Sequence, residues 1–271
     1  MPELPEVETT VRALREPLIG RTITAVRNTW PRHLANLTLP EMQHRLHNQR
    51  IEAITRRAKY LVFHLHAQEI LIIHLKMTGH LAVTDKNTPM DKHIHTVFEL
   101  DNGQELRFRD TRKFGRINLV HRTDDIFADL GPEPLEDSFT VACLRLRLNG
   151  RKRALKPLLL DQSFIAGVGN IYADEALFYA KLHPERRADT LEDKEVVVLH
   201  TAVRHVLQLG IDREGASISD YIKPDGSKGD MQNAVNVFRR TEEPCYECGH
   251  LIQRIVLGGR STHFCPNCQS S

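Results

Sequence analysis

Four cysteines near the C-terminus stand as Cys245-Tyr-Glu-Cys248, then sixteen residues, then Cys265-Pro-Asn-Cys268. Each Cys-x2-Cys turn can aim two thiolates at one point, and two such turns at this spacing suit a tetrahedral zinc ion. The chain between them has only to form a hairpin. Leu251 to Leu257, a Gly258-Gly259 turn with positive φ at both glycines, and Arg260 to Phe264 read as that hairpin. Two disulfides or a redox dithiol are the alternatives, but no thioredoxin-like βαβ pattern surrounds the pairs and the chain reads as intracellular. His250 and His263 are close enough in sequence to replace a ligand. Four thiolates already close the shell, so the expected zinc is structural. Cys143, the fifth cysteine, reads as a small buried apolar residue.

Upstream, the hydrophobic period changes twice. Val7, Val11, Leu14 and Leu18 recur at helical spacing, which predicts an amphipathic helix from Pro5 to about Glu16. From Thr22 to His121 the pattern is strand-like: Thr22 to Val26, Ile51 to Arg57, Tyr60 to Leu65, Glu69 to Leu75, Thr96 to Leu100 and Glu105 to Arg109, the last two flanking an Asp101-Asn102-Gly103 turn. Gly131-Pro-Glu-Pro134 is a breaker cluster and an expected domain boundary. Beyond it the helical period returns through Phe139 to Leu148, Leu155 to Asp161, Asn170 to Lys181 and Leu191 to Leu209. Gly210 to Val237 has no period and reads as a linker or a functional lid.

With 271 residues, the chain is long enough for two compact bodies. No run of eighteen apolar residues occurs, which argues against a membrane span. Met1-Pro2-Glu3 lacks a basic stretch followed by an apolar run, so an intracellular protein is expected. The net charge of +2 favours no partner, but its distribution does. Ten Lys or Arg against three acids lie between Val11 and Tyr60, and six bases against none (Arg145, Arg147, Arg151, Lys152, Arg153, Lys156) between Cys143 and Leu160. One face is thereby expected to attract a polyanion; solvated charged faces are the plain alternative.

The N-terminus carries chemistry of its own. Proline at position 2 permits removal of the initiator Met, which exposes a secondary amine. An α-amino group is roughly one-third neutral at about pH 7.5, whereas a lysine is neutral only about 0.1% of the time. Such an amine adds to an aldehyde carbon to give an iminium, the electron sink for an elimination next door. Glu3 and Glu6 place carboxylates beside it at a helix start, where acids are also common for reasons of dipole alone.

Five blocks together carry a resemblance: Met1-Pro-Glu-Leu-Pro-Glu-Val-Glu-Thr9, Arg56-Arg-Ala-Lys-Tyr60, Asp110-Thr-Arg-Lys-Phe-Gly-Arg116, Gly167-Val-Gly-Asn-Ile-Tyr-Ala-Asp-Glu175 and the four-cysteine hairpin. In this order they resemble the formamidopyrimidine-DNA glycosylases, bacterial 8-oxoguanine repair enzymes, over the full length. Leu4 bears on the choice within the superfamily, since the related endonuclease VIII enzymes, which prefer oxidised pyrimidines, usually carry Gly there. The resemblance implies an α+β fold: an N-terminal β-sandwich domain with an N-terminal helix (residues 2–131), a helix-two-turns-helix DNA-binding domain with a lesion loop (135–236) and a four-cysteine zinc finger (237–271). It implies a monomer in the bacterial cytoplasm, associated with the nucleoid, that acts on damaged double-stranded DNA.

It also implies roles. Pro2 attacks C1′ of the damaged nucleotide, the base leaves, and β- then δ-elimination cut the strand. Glu3 shuttles protons at the sugar, Glu6 orients the amine or a water, Lys59 assists β-elimination and Arg260 the last elimination. Met77, Arg112 and Phe114 fill the void left by the extruded base, with Met and Phe as wedges. Core packing is the ordinary fate of Met77 and Phe114, but Phe114 lies among Arg109, Arg112, Lys113 and Arg116, which suits a nucleic-acid surface. Asn170, after Gly167-Val168-Gly169, reads as a helix N-cap that receives a phosphate, with Arg151 adding a backbone contact and His74 and His93 facing phosphates. The Gly-x-Gly lacks the strand and third glycine of a dinucleotide fingerprint. Residues 217–237 correspond to the lesion loop, with Met231 before Gln232 and Val237-Phe-Arg-Arg240 departing from the commoner pattern. Three other readings remain: an endonuclease VIII-like glycosylase for oxidised pyrimidines, a non-catalytic zinc-finger DNA-binding protein, and a metal-dependent nuclease, for which no acidic metal cluster is evident.

Overall fold

The computed structural model describes residues 1–218 and 220–270, and groups them into two compact units. The first comprises Met1–Ala128 with Glu214–Asp230, the second Asp129–Arg213 with Met231–Ser271. Among the described residues, no helix is long and apolar enough to cross a membrane.

In the first unit, helix α1 (Leu4–Leu18) starts where Glu3 and Glu6 form a capping box, each carboxylate accepting the other residue's backbone N–H. Leu4, Val7, Val11, Leu14 and Leu18 are fully buried along one face. Strands follow as β1 (Thr22–Asn28), then, after helix α2 (Leu39–Leu46), β2 (Gln49–Arg57), β3 (Tyr60–Leu65), β4 (Ile70–His74), β5 (Gly79–Asp85), β6 (Ile94–Leu100), β7 (Gln104–Asp110) and β8 (Arg116–Val120), with a short helix α3 (Asp124–Phe127) last. All pair antiparallel in the order β5-β7-β6-β1-β2-β3-β4-β8. The β1–β2 pairing covers only Thr22↔Arg50 and Ile23↔Gln49, with irregularities just beyond on either side. Two four-stranded layers therefore meet at a corner. One hydrophobic cluster draws Val26, Phe98, Leu106 and Phe108 from one layer and Ile54, Phe63, Ile73 and Ile117 from the other, so the expected sandwich is what forms. Strands β5 and β8 and helix α2 were not legible from the local period. β5 mixes exposures along its length, and β8 is only five residues long.

The second unit is helical: α4 (Val141–Leu148), α5 (Leu155–Leu159), α6 (Asn170–Tyr179) and α7 (Asp193–Asp212). Helices α6 and α7 cross where Gly210 lies under the ring of Tyr172; a Cβ there would stand 2.4 Å from the ring. Strands β9 (Gln253–Leu257) and β10 (Arg260–Phe264) complete the unit. Gly258 and Gly259 have φ of 58° and 74°, the pair of left-handed residues that a two-residue hairpin of this twist demands. Phe178 of α6 packs with Val237, Cys245, Ile252 and Cys265, so the hairpin base shares a core with the helices.

Two residues differ from expectation. Cys143 is half-buried near the start of α4, where its N–H donates to the Thr140 hydroxyl. Lys156, counted within a solvent-facing basic run, is fully buried and paired with Asp174 at 2.6 Å. It falls on the inner face of α5, whose apolar neighbours carry it inward.

Candidate active site and nucleic-acid interface

In the first unit the N-terminal segment is held from two directions. Pro2, Glu3 and Glu6 are buried. Glu6 Oε2 accepts Glu3 N at 2.8 Å, and Oε1 accepts Ala216 N at 2.8 Å. A carboxylate with both oxygens engaged by amides is an orienting group, and here it ties the helix start to residues 214–230. Tyr221, buried against Thr9, Thr10 and Glu6, belongs to the same contact; burial, with the Glu6 charge beside it, pushes its phenol well above the usual range. No local signal marked Tyr221.

Lys59 sits in the β2–β3 turn and is 5% exposed. Ala58 before it is left-handed at φ 51°. Arg56 fixes this turn to α1, its Nε donating to Glu8 at 3.1 Å and its Nη1 to Ala58 O at 3.1 Å. His74 pairs with Tyr60 across β3–β4, and its Nδ1 accepts Lys76 N at 2.9 Å, which leaves the ring proton on Nε2. Burial first, then the charges of Lys76 and Lys59, lower its pKa to about 3, so the ring is neutral near pH 7.

Met77 and Phe114 are 37% and 46% exposed, high for apolar side chains of this size, and the Arg112 guanidinium lies 5.0 Å from the Phe114 ring centre. Each is next to a lysine in the left-handed region: Lys76 at φ 53°, Lys113 at φ 61°. Non-glycine residues held there cost about 1–3 kcal/mol each, and they concentrate where function requires them. Arg109 is paired with Asp91, and His93 is half-buried with its N–H on the same carboxylate.

In the second unit, α6 begins at Asn170 with Gly169 in the N-cap position, one residue before the expected cap. The Asn170 side chain turns to the hairpin, its Nδ2 donating to Ser261 O at 3.1 Å, while Oδ1 is buried without a hydrogen-bond partner. Lys156 Nζ donates to the same Ser261 carbonyl at 2.7 Å. Asp174 accepts His263 N and faces His263 Nδ1, both at 3.0 Å, so His263 holds the hairpin to α6 and is not a metal ligand. Glu175 takes the backbone amides of Asn236, Val237 and Phe238. These acids, mid-helix in sequence, carried no local sign of anchoring distant chain. Arg260 and Arg151 are exposed. Of the expected lesion loop, Ser219 lies outside the described residues. The remainder divides between the units at Asp230/Met231, and Met231 is buried.

The sulfurs of Cys245, Cys248, Cys265 and Cys268 all lie within 4.8 Å of one another, with 3.9 Å between Cys245 and Cys268 and 3.4 Å between Cys248 and Cys265. Those separations rule out disulfides. They bracket the edge of about 3.8 Å that four sulfurs at ~2.3 Å from a tetrahedral zinc would have.

Three family models match in chain order: the formamidopyrimidine-DNA glycosylase N-terminal domain over residues 1–117, the H2TH domain of the same enzymes over 130–221, and a zinc finger found in FPG and IleRS over 242–270. The chain belongs to the formamidopyrimidine-DNA glycosylase family. Formamidopyrimidine-DNA glycosylases of Protochlamydia amoebophila and Herpetosiphon aurantiacus are 45% and 46% identical, with 99% and 100% of both chains covered. Among solved structures, a Lactococcus lactis FPG mutant in complex with Fapy-dG DNA superposes at a TM-score of 0.94 with 36% identity, each chain covered in full. A MutM complex with carbocyclic 8-oxo-G DNA superposes at 0.93 with 37% identity, likewise over all of both chains. The four-cysteine set is accordingly the site of one structural zinc ion.

Proposed function

We propose that this protein removes oxidised purines, 8-oxoguanine and formamidopyrimidines, from damaged double-stranded DNA and then cuts the abasic strand, with Pro2 as nucleophile. The observation that carries the reading is the anchoring of the N-terminal segment, with Pro2 buried directly before a carboxylate pair whose second member is braced by Glu3 N and Ala216 N. Met1 is 48% exposed, open to the aminopeptidase whose action frees the Pro2 amine.

The chemistry then balances through this chain's own groups. The Pro2 nitrogen bonds to C1′ as the bond from C1′ to the base breaks, and the base leaves with the electron pair and takes up a proton. Glu3 protonates the ring oxygen, the sugar opens, and the nitrogen lone pair gives a C1′ iminium. That iminium acidifies C2′–H; loss of the proton, with Lys59 assisting, expels the 3′ phosphate. Loss of the C4′ proton, assisted by Arg260 at the phosphate, expels the 5′ phosphate in a second elimination, and water then hydrolyses the iminium to release the sugar remnant as an aldehyde and free Pro2. Met77, Arg112 and Phe114 occupy the void, and Asn170, Arg151, Arg109, His93 and the Nε2–H of His74 bind the backbone. Zinc takes no part in the reaction and holds the hairpin that presents Arg260. A single chain suffices, working on nucleoid DNA in the bacterial cytoplasm.

Borohydride reduction during turnover in EDTA tests this. The expected result is a covalent adduct mapped by mass spectrometry to Pro2 and lost when the N-terminus is extended. An adduct on Lys59, or none, removes Pro2 from its role; cleavage that EDTA abolishes while the four-cysteine zinc is retained makes the protein a metal-dependent nuclease.

A further inference from the structure

The three residues assigned above to the void are carried on two separate turns. Met77 lies between β4 and β5, and Arg112 and Phe114 between β7 and β8. The turns have no sequence reason to move as one, yet they meet at a single buried carboxylate. Asp110 is the last residue of β7, fully buried and paired in register with Gly79 of β5. Its Oδ1 accepts the Thr78 hydroxyl at 2.5 Å, next to Met77, and Arg112 N at 3.3 Å. Its Oδ2 accepts Gly115 N at 2.7 Å, next to Phe114. The Thr78 hydroxyl oxygen in turn accepts Arg112 N at 3.1 Å, which closes the link between the turns.

Behind the carboxylate stands a second buried layer. His33, fully buried, places Nε2 3.5 Å from Asp110 Oδ2 and Nδ1 3.2 Å from the Thr96 hydroxyl. The Phe108 ring lies beneath both turns: a Cβ on Gly79 would come within 2.8 Å of it, and one on Gly115 within 2.4 Å. Carboxylate and ring together form a platform on β7 that sets the height and spacing of the turns. Burial alone would raise the Asp110 pKa, but the hydrogen bonds from Thr78 and Gly115, with the His33 imidazole facing Oδ2, outweigh it and keep the carboxylate ionised. Loss of that acceptor would orphan buried donors and free the two left-handed lysines to relax.

The geometry points to Asp110 as the positioning residue that locks the Met77 turn and the Arg112–Phe114 turn into one rigid wedge, so that its carboxylate governs base extrusion and not the chemistry at the sugar. This rests on the wedge reading given above, and the experiment separates the two. Single-turnover rates are measured on a duplex holding 8-oxoguanine opposite cytosine, and on an abasic strand without its complement, where no void has to be filled. Asp110→Asn keeps the shape but turns a donor toward the amide or hydroxyl it served. Thr78→Val keeps the shape without the hydroxyl, and serves should Asp110→Asn not fold; Thr78→Ser restores the hydroxyl.

The expected result is excision from the duplex slowed at least about tenfold, ~1.4 kcal/mol, by Asp110→Asn and Thr78→Val. Cleavage of the uncomplemented strand stays within roughly twofold of wild type, and Thr78→Ser regains most of the duplex rate. Equal loss on both substrates overturns the proposal in favour of general support of the fold. Unchanged duplex excision in Asp110→Asn and Thr78→Val, while Met77→Ala or Phe114→Ala slows it, overturns the proposal and leaves the wedge standing. Unchanged excision in Met77→Ala and Phe114→Ala removes the wedge reading itself.

Discussion

His74 and Lys156 show how burial redirects a basic residue. Both read in the sequence as partners for phosphate, one by its place in a family pattern and one by its place in a run of bases. Lys156 is instead spent inside the second unit on Asp174 and the Ser261 carbonyl. A pair so deeply buried is weak evidence for stability, but removal of one partner would strand a charge. His74 remains compatible with a phosphate as a neutral Nε2–H donor. Its folded pKa of about 3 lies below the unfolded value near 6.5. The unfolded chain therefore binds the extra proton first, and stability falls as pH drops from about 6.5 toward the folded value. Urea unfolding at pH 7 and pH 5 should show a smaller loss in His74→Asn than in the wild type; an equal loss, or an imidazole that titrates by NMR above pH 5, would contradict the burial argument.

Elements differ in how far local sequence specifies them. Helix α1 was legible because its apolar face repeats at the right period and acids stand in its first turn; the capping box that Glu3 and Glu6 form there was seen only in the fold. The β9–β10 hairpin was legible because two glycines and four cysteines leave the chain few alternatives. Its anchoring was not: His263 and Ser261 are held by Asp174, Lys156 and Asn170, which lie about ninety residues away or more. Zinc and these bonds jointly present Arg260, so removing the metal should act on the hairpin while sparing the sandwich. Cys245→Ser, or stripping zinc with a chelator, is expected to lower affinity for lesion DNA at least about tenfold while most of the first unit stays folded. Undiminished binding and cutting by Cys245→Ser would take the hairpin out of the interface.

For the whole molecule, a net charge of +2 hides basic surfaces that act at the range of a phosphate. Arg151 is an exposed member of one such run, and its assigned role is a backbone contact. Arg151→Ala should weaken binding similarly for damaged and undamaged duplex and lower the slope of log affinity against log salt by about one unit. A change confined to lesion duplex, with the slope unaltered, would assign it elsewhere.

The zinc site, helix α1, the change from strand-like to helical period and most later helices could be read from residues alone, since each depends on short spacings or on a period that neighbours in the chain enforce. The braces that give those parts their geometry could not: Glu6 on Ala216, Asp110 on two turns, Glu175 on residues 236–238, Asp174 on the hairpin. Each is a buried carboxylate with at least one donor from distant chain. A carboxylate enters the interior only when folding brings it those donors, so nothing in its own neighbourhood announces where it will point.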